Sequence, residues 1–255
     1  TVTRQKYLTA SEKGPWANSY DRWRNDNLTN RYQGVQFGYT SAGRYTSWND
    51  IWNYYGFKER DVLPGDYKYE DWNGDGEING QDEHPFAFDQ TPWLQFSLNA
   101  GLQWKNFDFN MLLQGSALGS MEYKEPLHEI WGKNGGGALT QFLDRWHPVD
   151  PKADPYDPST VWTSGHYAYT GRWAKNNSAF NRVSTAYLRL KSIELGYTFP
   201  KLKQIPNASL RVYANAYNLL TFTGVKFVDP EHPDDDLGRM YPLNKTYTLG
   251  VSLSF

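Results

Sequence analysis

Strict alternation of apolar and polar residues is the feature that most restricts how this chain can fold. In the stretch 93–104, apolar side chains stand at every second position, with Gln, Ser, Asn or Gly between them, and the stretch 107–115 repeats the pattern. Successive side chains of a β-strand point to opposite faces of the sheet, so each stretch predicts a strand with one apolar and one polar face. Lys105 and Asn106 between them predict a tight turn, and therefore a β-hairpin.

Three further strands are predicted at 185–199, 209–219 and 247–255, where the same alternation returns. In the first of them, Leu188 and Leu190 are out of phase with Ile193 and Leu195. One extra residue in a strand reverses its facing, so this change of phase predicts a β-bulge near Lys191 and Ser192.

The connections between these strands alternate in length, which predicts how the chain is organised. Residues 1–92 show little periodicity and are predicted to be loops with short helical or strand pieces; residues 93–255 carry the strands. Short links at 105–106 and 200–208 fall at one end, and long loops at 115–184 and 221–241 fall at the other. Outer-membrane barrels have short periplasmic turns and long outside loops. The predicted fold class is therefore all-β, an antiparallel transmembrane β-barrel with long extracellular loops.

Composition narrows the choice of protein class. The chain has 19 Tyr, 13 Phe and 11 Trp, yet its mean hydropathy is only −0.76. Sugar-binding β proteins and outer-membrane barrels both combine many aromatic side chains with a polar average. The net charge of −2 predicts no nucleic-acid partner, and the absence of cysteine excludes disulfides and thiolate metal sites. No apolar run is long enough for a transmembrane helix.

The stretch DWNGDGEINGQDE at 71–83 has the spacing of a calcium-binding loop. Glycine stands at position 6, where such loops turn sharply, and Ile78 at position 8 can anchor the loop. Position 12 is an aspartate instead of the usual bidentate glutamate, and a solvated Asx-rich turn with the same spacing is the alternative. The predicted ligands of a structural calcium ion are Asp71, Asn73, Asp75, Glu77 and Asp82.

Several motifs occur in an order that resembles a known family. They are PGDYKYEDWNGDGEING (64–80), the hairpin at 92–115 with QGS (114–116), AYLRLKSIELGYTFP (186–200), LRVYANAYNLLTFTG (210–224), DPE (229–231), YP (241–242) and TYTLGVSLSF (246–255). In this order they resemble the C-terminal part of a SusC/RagA-type TonB-dependent outer-membrane transporter. The resemblance runs from about Leu63 to Phe255, and residues 1–62 match only loosely.

The resemblance also implies the complete fold, the partner proteins and the cargo of the transporter. It implies a barrel of about 22 strands, a plug, contact with the TonB complex through a missing N-terminal part, and a SusD-type surface lipoprotein acting as a lid. It also implies an importer of oligosaccharides, or of peptides, in the outer membrane of a Gram-negative bacterium. Five strands cannot close a barrel, so we expect the chain to be part of a longer protein.

Two sets of strand residues are candidates for function. The polar side chains expected to face the lumen or mouth, where substrate passes, are Arg189, Glu194, Arg211, Tyr213, Asn215 and Tyr217. The final strand resembles the signal read by the barrel-assembly machinery, carried by Tyr247, Leu249, Val251, Leu253 and Phe255. An ordinary edge strand is the alternative for the second set.

Aromatic residues are also crowded in the predicted loops. Some of them are candidates for stacking on sugar rings, whereas packing between loops is the commoner role of such residues; they are Trp52, Tyr54, Tyr55, Trp72, Trp131, Trp146, Trp162, Tyr167, Tyr169 and Trp173. A girdle at the membrane interface is predicted for Trp104, Phe107, Phe199 and Tyr247. The acidic run 231–238 is either a cation site or a solvated loop face.

Alternatives to a transporter remain open on the residues alone. A soluble, calcium-stabilised carbohydrate-binding β-sandwich fits the same alternation, and a glycoside hydrolase domain is a third reading. The sequence has no Gly-x-Ser-x-Gly motif, no phosphate-binding glycine loop and no paired histidines. A protein without catalytic activity is therefore predicted.

Overall fold

The computed structural model describes residues 2, 5–8, 30–54, 62–124, 127–128, 139–171, 174–175, 177–200, 208–231, 240–241 and 243–255. Within them the regular secondary structure is mostly β, with one short α-helix, α1 (Trp48–Asn53), and two 3₁₀ turns, Gly80–Asp82 and Thr140–Leu143. In chain order the strands are β1 (Gln36–Gly38), β2 (Ser41–Arg44), β3 (Tyr67–Tyr69), β4 (His84–Ala87), β5 (Leu94–Trp104), β6 (Phe107–Ala117), β7 (Ser120–Glu122), β8 (His147–Pro148), β9 (Trp162–Thr163), β10 (Arg182–Ser184), β11 (Tyr187–Phe199), β12 (Ser209–Thr223) and β13 (Thr246–Ser254). No helix in the described ranges is long and apolar enough to cross a membrane.

The five long strands form one antiparallel sheet, in the order β13-β12-β11-β6-β5. All five were predicted from the alternation, with ends within a few residues of those observed. The predicted tight turn joins β5 to β6, and Lys105 there adopts a left-handed backbone conformation with φ 56°. Because every neighbouring pair is antiparallel, the short connections lie at one end of the sheet and the long ones at the other.

The predicted β-bulge is present in β11. The register of β11 against both β6 and β12 shifts between Leu190 and Ser192. The shift returns Leu190 to the face that carries Leu113 of β6 and Leu220 of β12. The bulge therefore keeps one face of β11 apolar along its whole length, although its sequence changes phase.

One face of this sheet is apolar and open. Leu98, Leu195, Val212 and Val251 all lie on it, and between 40% and 67% of each residue's surface is exposed. A β-sandwich would bury these side chains against a second sheet. Within the described residues, the other sheets have only two strands each, which is too few to cover this face. The exposed apolar face of the five-stranded sheet therefore argues against the soluble β-sandwich.

Aromatic rings gather at the short-turn end of the apolar face. Trp104 and Phe107 stack with ring centroids 6.5 Å apart, and Phe107 meets Tyr197 edge-on at 4.7 Å. Tyr197 in turn contacts Phe199 at 4.7 Å. Three of the four residues of the predicted girdle, Trp104, Phe107 and Phe199, thus lie together at this end, whereas Tyr247 lies at the opposite end of its strand, paired with Ala216. Contact of these residues with a membrane interface stays a prediction.

The segments beyond the long-loop end form four small antiparallel sheets, pairing β1 with β4, β2 with β3, β7 with β10 and β8 with β9. Their core consists of small separate clusters, such as Tyr45 with Ile51 and Val62. Cations sandwiched by rings add to it: Lys68 lies 4.4 Å from the ring centroid of Tyr54. Favourable cation–π contacts of this kind hold polar loops together where aliphatic residues are few.

The predicted loops are shorter than expected in places. Strand β12 runs to Thr223, so the second long loop does not begin at residue 221. The first long loop also contains β7 to β10, because pairing between distant short segments is invisible to local periodicity. Residues 232–238 of the acidic run, together with Tyr55, Trp131 and Trp173, lie outside the described residues.

Candidate functional site on the polar sheet face

An ion cluster spans three strands on the polar face. Arg211 of β12 donates from Nε to Asp108 Oδ1 at 3.0 Å and from Nη2 to Glu194 Oε1 at 2.6 Å. A second bond joins Nη2 to the other oxygen of Asp108, so the contact with that carboxylate is bidentate. Asn215 lies beside Glu194, 3.5 Å away. Two carboxylates share one guanidinium, so the cluster is acidic and holds β6, β11 and β12 in register.

Glycines make room for this cluster. An added Cβ at Gly196 would lie 2.5 Å from Asp108 Oδ1 and 2.6 Å from Arg211 Nη2. On β13, an added Cβ at Gly250 would lie 2.2 Å from the Tyr213 ring. Large polar side chains therefore lie flat across the face only because their cross-strand neighbours lack side chains.

A second ion cluster lies on the same face near the long-loop end. The Arg189 side chain is only 1% exposed and contacts Asp229 Oδ2 and Glu231 Oε2, each at 2.5 Å. Its Nε donates to Thr221 Oγ1 at 3.0 Å, and Tyr187 donates its hydroxyl to Glu231 at 2.7 Å. We name Arg189, Asp229 and Glu231 the loop latch, because they tie the loop after β12 to the wall formed by β11.

A polar cleft opens beside the loop latch. Its volume is about 800 Å³, and its lining includes Gln95, Ser97, Gln114, Ser116, Tyr187 and Glu231. Amide and hydroxyl groups predominate there, and the carboxylate of Glu231 is neutralised by Arg189. Such a surface suits neutral groups that both donate and accept hydrogen bonds.

The structure sorts the six predicted lumen residues into these groups. All lie on the polar face: Glu194, Arg211 and Asn215 in the first cluster and Arg189 in the loop latch. Tyr213 packs against Arg211, with 4.8 Å from its ring centroid to Cζ, and Tyr217 is exposed. Their contact with a substrate stays a prediction.

Sequence reasoning named Glu194 but missed the other three carboxylate partners of the two arginines. Asp108 stands on the predicted polar face of its strand, so alternation alone could have suggested it. Asp229 and Glu231 belong to the DPE motif, which was recognised only as part of the resemblance. Nothing in the local sequence indicates that these carboxylates reach back to Arg189, 40 and 42 residues earlier in the chain.

The calcium-type loop is closed by its own backbone. Asp71 accepts hydrogen bonds from Gly74 N at 2.7 Å and Gly76 N at 2.8 Å. Asp82, which is 0% exposed, accepts from Trp72 N at 2.9 Å and Asn79 N at 2.8 Å. Gly74 and Gly76 both have positive φ, 73° and 83°, which only glycine adopts without strain.

The fit of this loop to a calcium ion is partial. Asp75 orders the turn by accepting from Glu77 N at 2.8 Å, as the sequence pattern requires. Among the described residues, however, no three His, Cys, Asp or Glu side chains gather at metal-binding distances. Burial raises the pKa of Asp82 even though backbone N–H groups favour its charged form. The calcium site therefore stays a prediction.

The loop aromatics mostly pack between segments. Trp72 stacks on His84 with centroids 3.7 Å apart, and Phe142 meets Tyr167 at 4.5 Å. Tyr54 donates its hydroxyl to the carbonyl of Tyr69. These contacts agree with the packing role that was expected of most such residues.

Sequence comparison finds relatives of this chain among TonB-dependent receptors. Over 211 residues it is 28% identical to TonB-dependent receptor P3 of Formosa agariphila, covering 76% of this chain and 19% of that protein. Over 210 residues it is 26% identical to TonB-dependent receptor SusC of Bacteroides thetaiotaomicron, covering 81% and 19%. The chain is a homologue of the SusC-type TonB-dependent receptors. It spans about a fifth of the length of these relatives, and no family model matches it.

Solved structures agree on the fold. The RagAB peptide importer in its open-open state superposes with a TM-score of 0.54 at 18% identity, covering 98% of this chain and 25% of that chain. A second RagAB peptide transporter structure gives a TM-score of 0.55 at 21% identity, covering 86% and 22%. The resemblance inferred from the ordered motifs is thus confirmed. The relatives are named as receptors, which fits the prediction of a protein without catalytic activity.

Proposed function

We propose that this chain forms part of the wall and mouth of a TonB-dependent importer in the outer membrane of a Gram-negative bacterium. One observation carries the proposal: a homologue of these receptors has a five-stranded sheet with one exposed apolar face and one polar face. An apolar face outward and a polar face inward is the arrangement of transmembrane barrels, because lipid surrounds the wall and water fills it. The closed barrel of about 22 strands is part of this proposal.

The proposed cargo is an oligosaccharide. Peptides are the competing cargo, because RagAB, which shares the fold, is a peptide importer. The polar cleft favours neutral, hydrogen-bonding groups, because its Gln, Ser and Thr side chains outnumber its ionised ones. Sugar hydroxyls and peptide amides both satisfy this chemistry.

The partners proposed for the importer are those that the resemblance implies. A SusD-type surface lipoprotein would close the mouth at the long-loop end, and the TonB complex would supply energy through parts outside this chain. Outer-membrane lipid would contact the apolar face. A structural calcium ion at Asp71, Asn73, Asp75, Glu77 and Asp82 would stiffen one loop of the mouth. The strand Tyr247 to Phe255 would direct barrel assembly.

Uptake by whole cells tests this function. We expect cells carrying the full-length protein to import fluorescently labelled oligosaccharides, and to lose import when its gene or tonB is deleted. Labelled peptides of similar size serve as the parallel cargo. Import that persists without TonB would contradict the proposal. Import of peptides alone would support a TonB-dependent importer but would contradict the oligosaccharide cargo.

A further inference from the structure

Three hydrogen-bond donors lie beside the aromatic cluster where the hairpin turn ends the apolar face of the sheet. Lys105 extends its ammonium group over the exposed ring of Trp104, with 4.9 Å from Nζ to the ring centroid. The next residue, Asn106, has its Nδ2 atom 3.5 Å from the hydroxyl of Tyr197. Because Trp104 and Tyr197 both belong to the apolar face, the ammonium, amide and hydroxyl groups lie on that side of the sheet.

The turn that carries these donors is fixed to the sheet. The carbonyl of Asn106 accepts a hydrogen bond from Thr198 N at 2.8 Å. The ring of Phe107 contacts the rings of both Trp104 and Tyr197, so one series of contacts leads from the turn across three rings and back to the turn. Groups held in this way lose little conformational entropy on binding, which favours affinity.

The donors at this end of the apolar face carry positive charge without a carboxylate beside it. Along the five long strands the acidic residues are Asp108 and Glu194, and both contact Arg211 on the polar face. Within the described part of the chain, no carboxylate pairs with Lys105. An ammonium group beside an amide and a hydroxyl donates hydrogen bonds and supplies a counter-charge to an anion.

The surface next to the donors indicates that the anion belongs to a lipid. Leu102 and Leu195 pair with opposite sides of Phe109, one row from the aromatic cluster, and they are 65% and 53% exposed. A free anion would contact only the donors, whereas a molecule with a charged headgroup and acyl chains would also cover these apolar side chains. Lysine and aromatic side chains suit such an interface, because each has an apolar body and a polar tip.

We propose that the hairpin turn between β5 and β6 binds the headgroup of an anionic glycerophospholipid, with its phosphate beside the ammonium group of Lys105. Asn106 and Tyr197 donate to further headgroup oxygens, and the acyl chains lie along the apolar face. Phosphatidylethanolamine fits less well, because its own ammonium group finds no carboxylate here. The site rests on the proposed function, which places this sheet in the membrane, and adds to it the selection of one lipid class at the periplasmic end.

Native mass spectrometry of the full-length protein, delipidated in detergent, tests the site through the dissociation constant of the first bound lipid. The probes are phosphatidylglycerol, phosphatidylethanolamine and digalactosyldiacylglycerol with identical acyl chains, and phosphatidylglycerol in competition with inorganic phosphate. Lys105→Met keeps an apolar side chain and removes the charge, and Tyr197→Phe keeps the ring and removes one donor. We expect phosphatidylglycerol to bind most tightly. Its binding should weaken about fivefold in Lys105→Met and about two- to tenfold in Tyr197→Phe.

Lys105→Arg is the matched control, because it keeps the positive charge at the turn, and Lys152→Met removes an exposed lysine from a loop. Both should bind phosphatidylglycerol like the wild type, and heat-modifiable electrophoretic mobility establishes that each variant is folded. Equal affinities for the three lipids, unchanged affinity in Lys105→Met, or displacement of the lipid by inorganic phosphate would overturn the proposal. The titration uses neither cargo nor TonB, so loss of lipid selectivity with intact uptake would overturn this site and leave the importer.

Discussion

At the scale of single residues, the packing of the polar face depends on glycines, which lack side chains, as much as on the large charged side chains beside them. Gly196 has no side chain, and Arg211 occupies the space to reach Asp108 across the sheet. Arg189 is buried and charged, a combination that is stable only with counter-charges in contact. Arg211 therefore requires a glycine at position 196, and Arg189 requires its two carboxylate partners.

Gly196→Ala should separate Arg211 from Asp108, because the new methyl group takes the position of their contacting atoms. Overpacking of this kind costs about 1–3 kcal/mol, so we expect a lower midpoint of thermal unfolding in detergent. Gly224→Ala is the control, since no atom lies within 4 Å of its added Cβ. Equal midpoints for the two variants would refute the packing argument.

Arg189→Met should release the loop latch. Removing Arg189 leaves the partly exposed carboxylates of Asp229 and Glu231 without their shared cation, so the loop loses its attachment to β11. We expect limited proteolysis to cut near residues 224–231 sooner than in the wild type. Lys191→Met, which removes a nearby cation at the bulge, should leave the cleavage rate unchanged; faster cleavage in both variants would indicate a general charge effect.

At the scale of elements, the loops are ordered by turns and small clusters rather than by a large core. Asp150, Asp154 and Asp157 each accept a hydrogen bond from the backbone N–H two residues later. The calcium-type loop uses the same device at Asp75. Elements held by so few contacts open locally at low free energy, so they respond first to ions and to pH.

Calcium should protect the loop 71–83 from proteolysis, and EDTA should remove the protection. Asp75→Asn keeps the oxygen that orders the turn but removes a charge, so we expect calcium affinity to fall on the order of tenfold. Asp157→Asn makes the same change in another turn and should bind calcium like the wild type. Identical proteolysis of the wild type with calcium and with EDTA would show that the loop is an Asx-rich turn only.

Acid should loosen the packing around the buried side chain of His128. Burial lowers the pKa of His128 to about 4, below the value of about 6.5 expected in an unfolded chain. Between these values the open state binds more protons, so local stability falls as pH drops from about 6.5 towards about 4 and no further below that.

Hydrogen exchange measures this opening. Gln141 donates to the carbonyl of Leu127, next to His128, at 2.9 Å, so protection at 139–145 should decline across that pH range. His128→Asn should remove most of the pH dependence, whereas His147→Gln on β8 should retain it. A wild-type profile that is flat from pH 7 to pH 4.5, after correction for intrinsic exchange, would contradict the prediction.

At the scale of the whole molecule, the sheet has two chemically different faces. Its apolar residues line up across strands, as in the row Leu98, Leu113, Leu190 and Leu220. A wall between lipid and water requires this separation, because a charge on the lipid side has no solvent.

Leu98→Lys should therefore impair assembly in the membrane, while Ser97→Lys on the opposite face should be tolerated. A lysine near the bilayer midplane costs about 2–4 kcal/mol on the lipid face of a barrel. Heat-modifiable electrophoretic mobility and outer-membrane abundance report the folded fraction. Equal abundance of the two variants would mean that the apolar face does not meet lipid.

Alternation by itself determined the five long strands, the hairpin turn, the bulge in β11 and the division of the sheet into two faces. These follow from backbone geometry, which places successive side chains on opposite sides and is readable within a few residues. Only the tertiary structure decided that Asp229 and Glu231 reach Arg189, and that short strands pair within the long loops. Contacts between residues tens of positions apart depend on how loops close in space, and no local period records that closure.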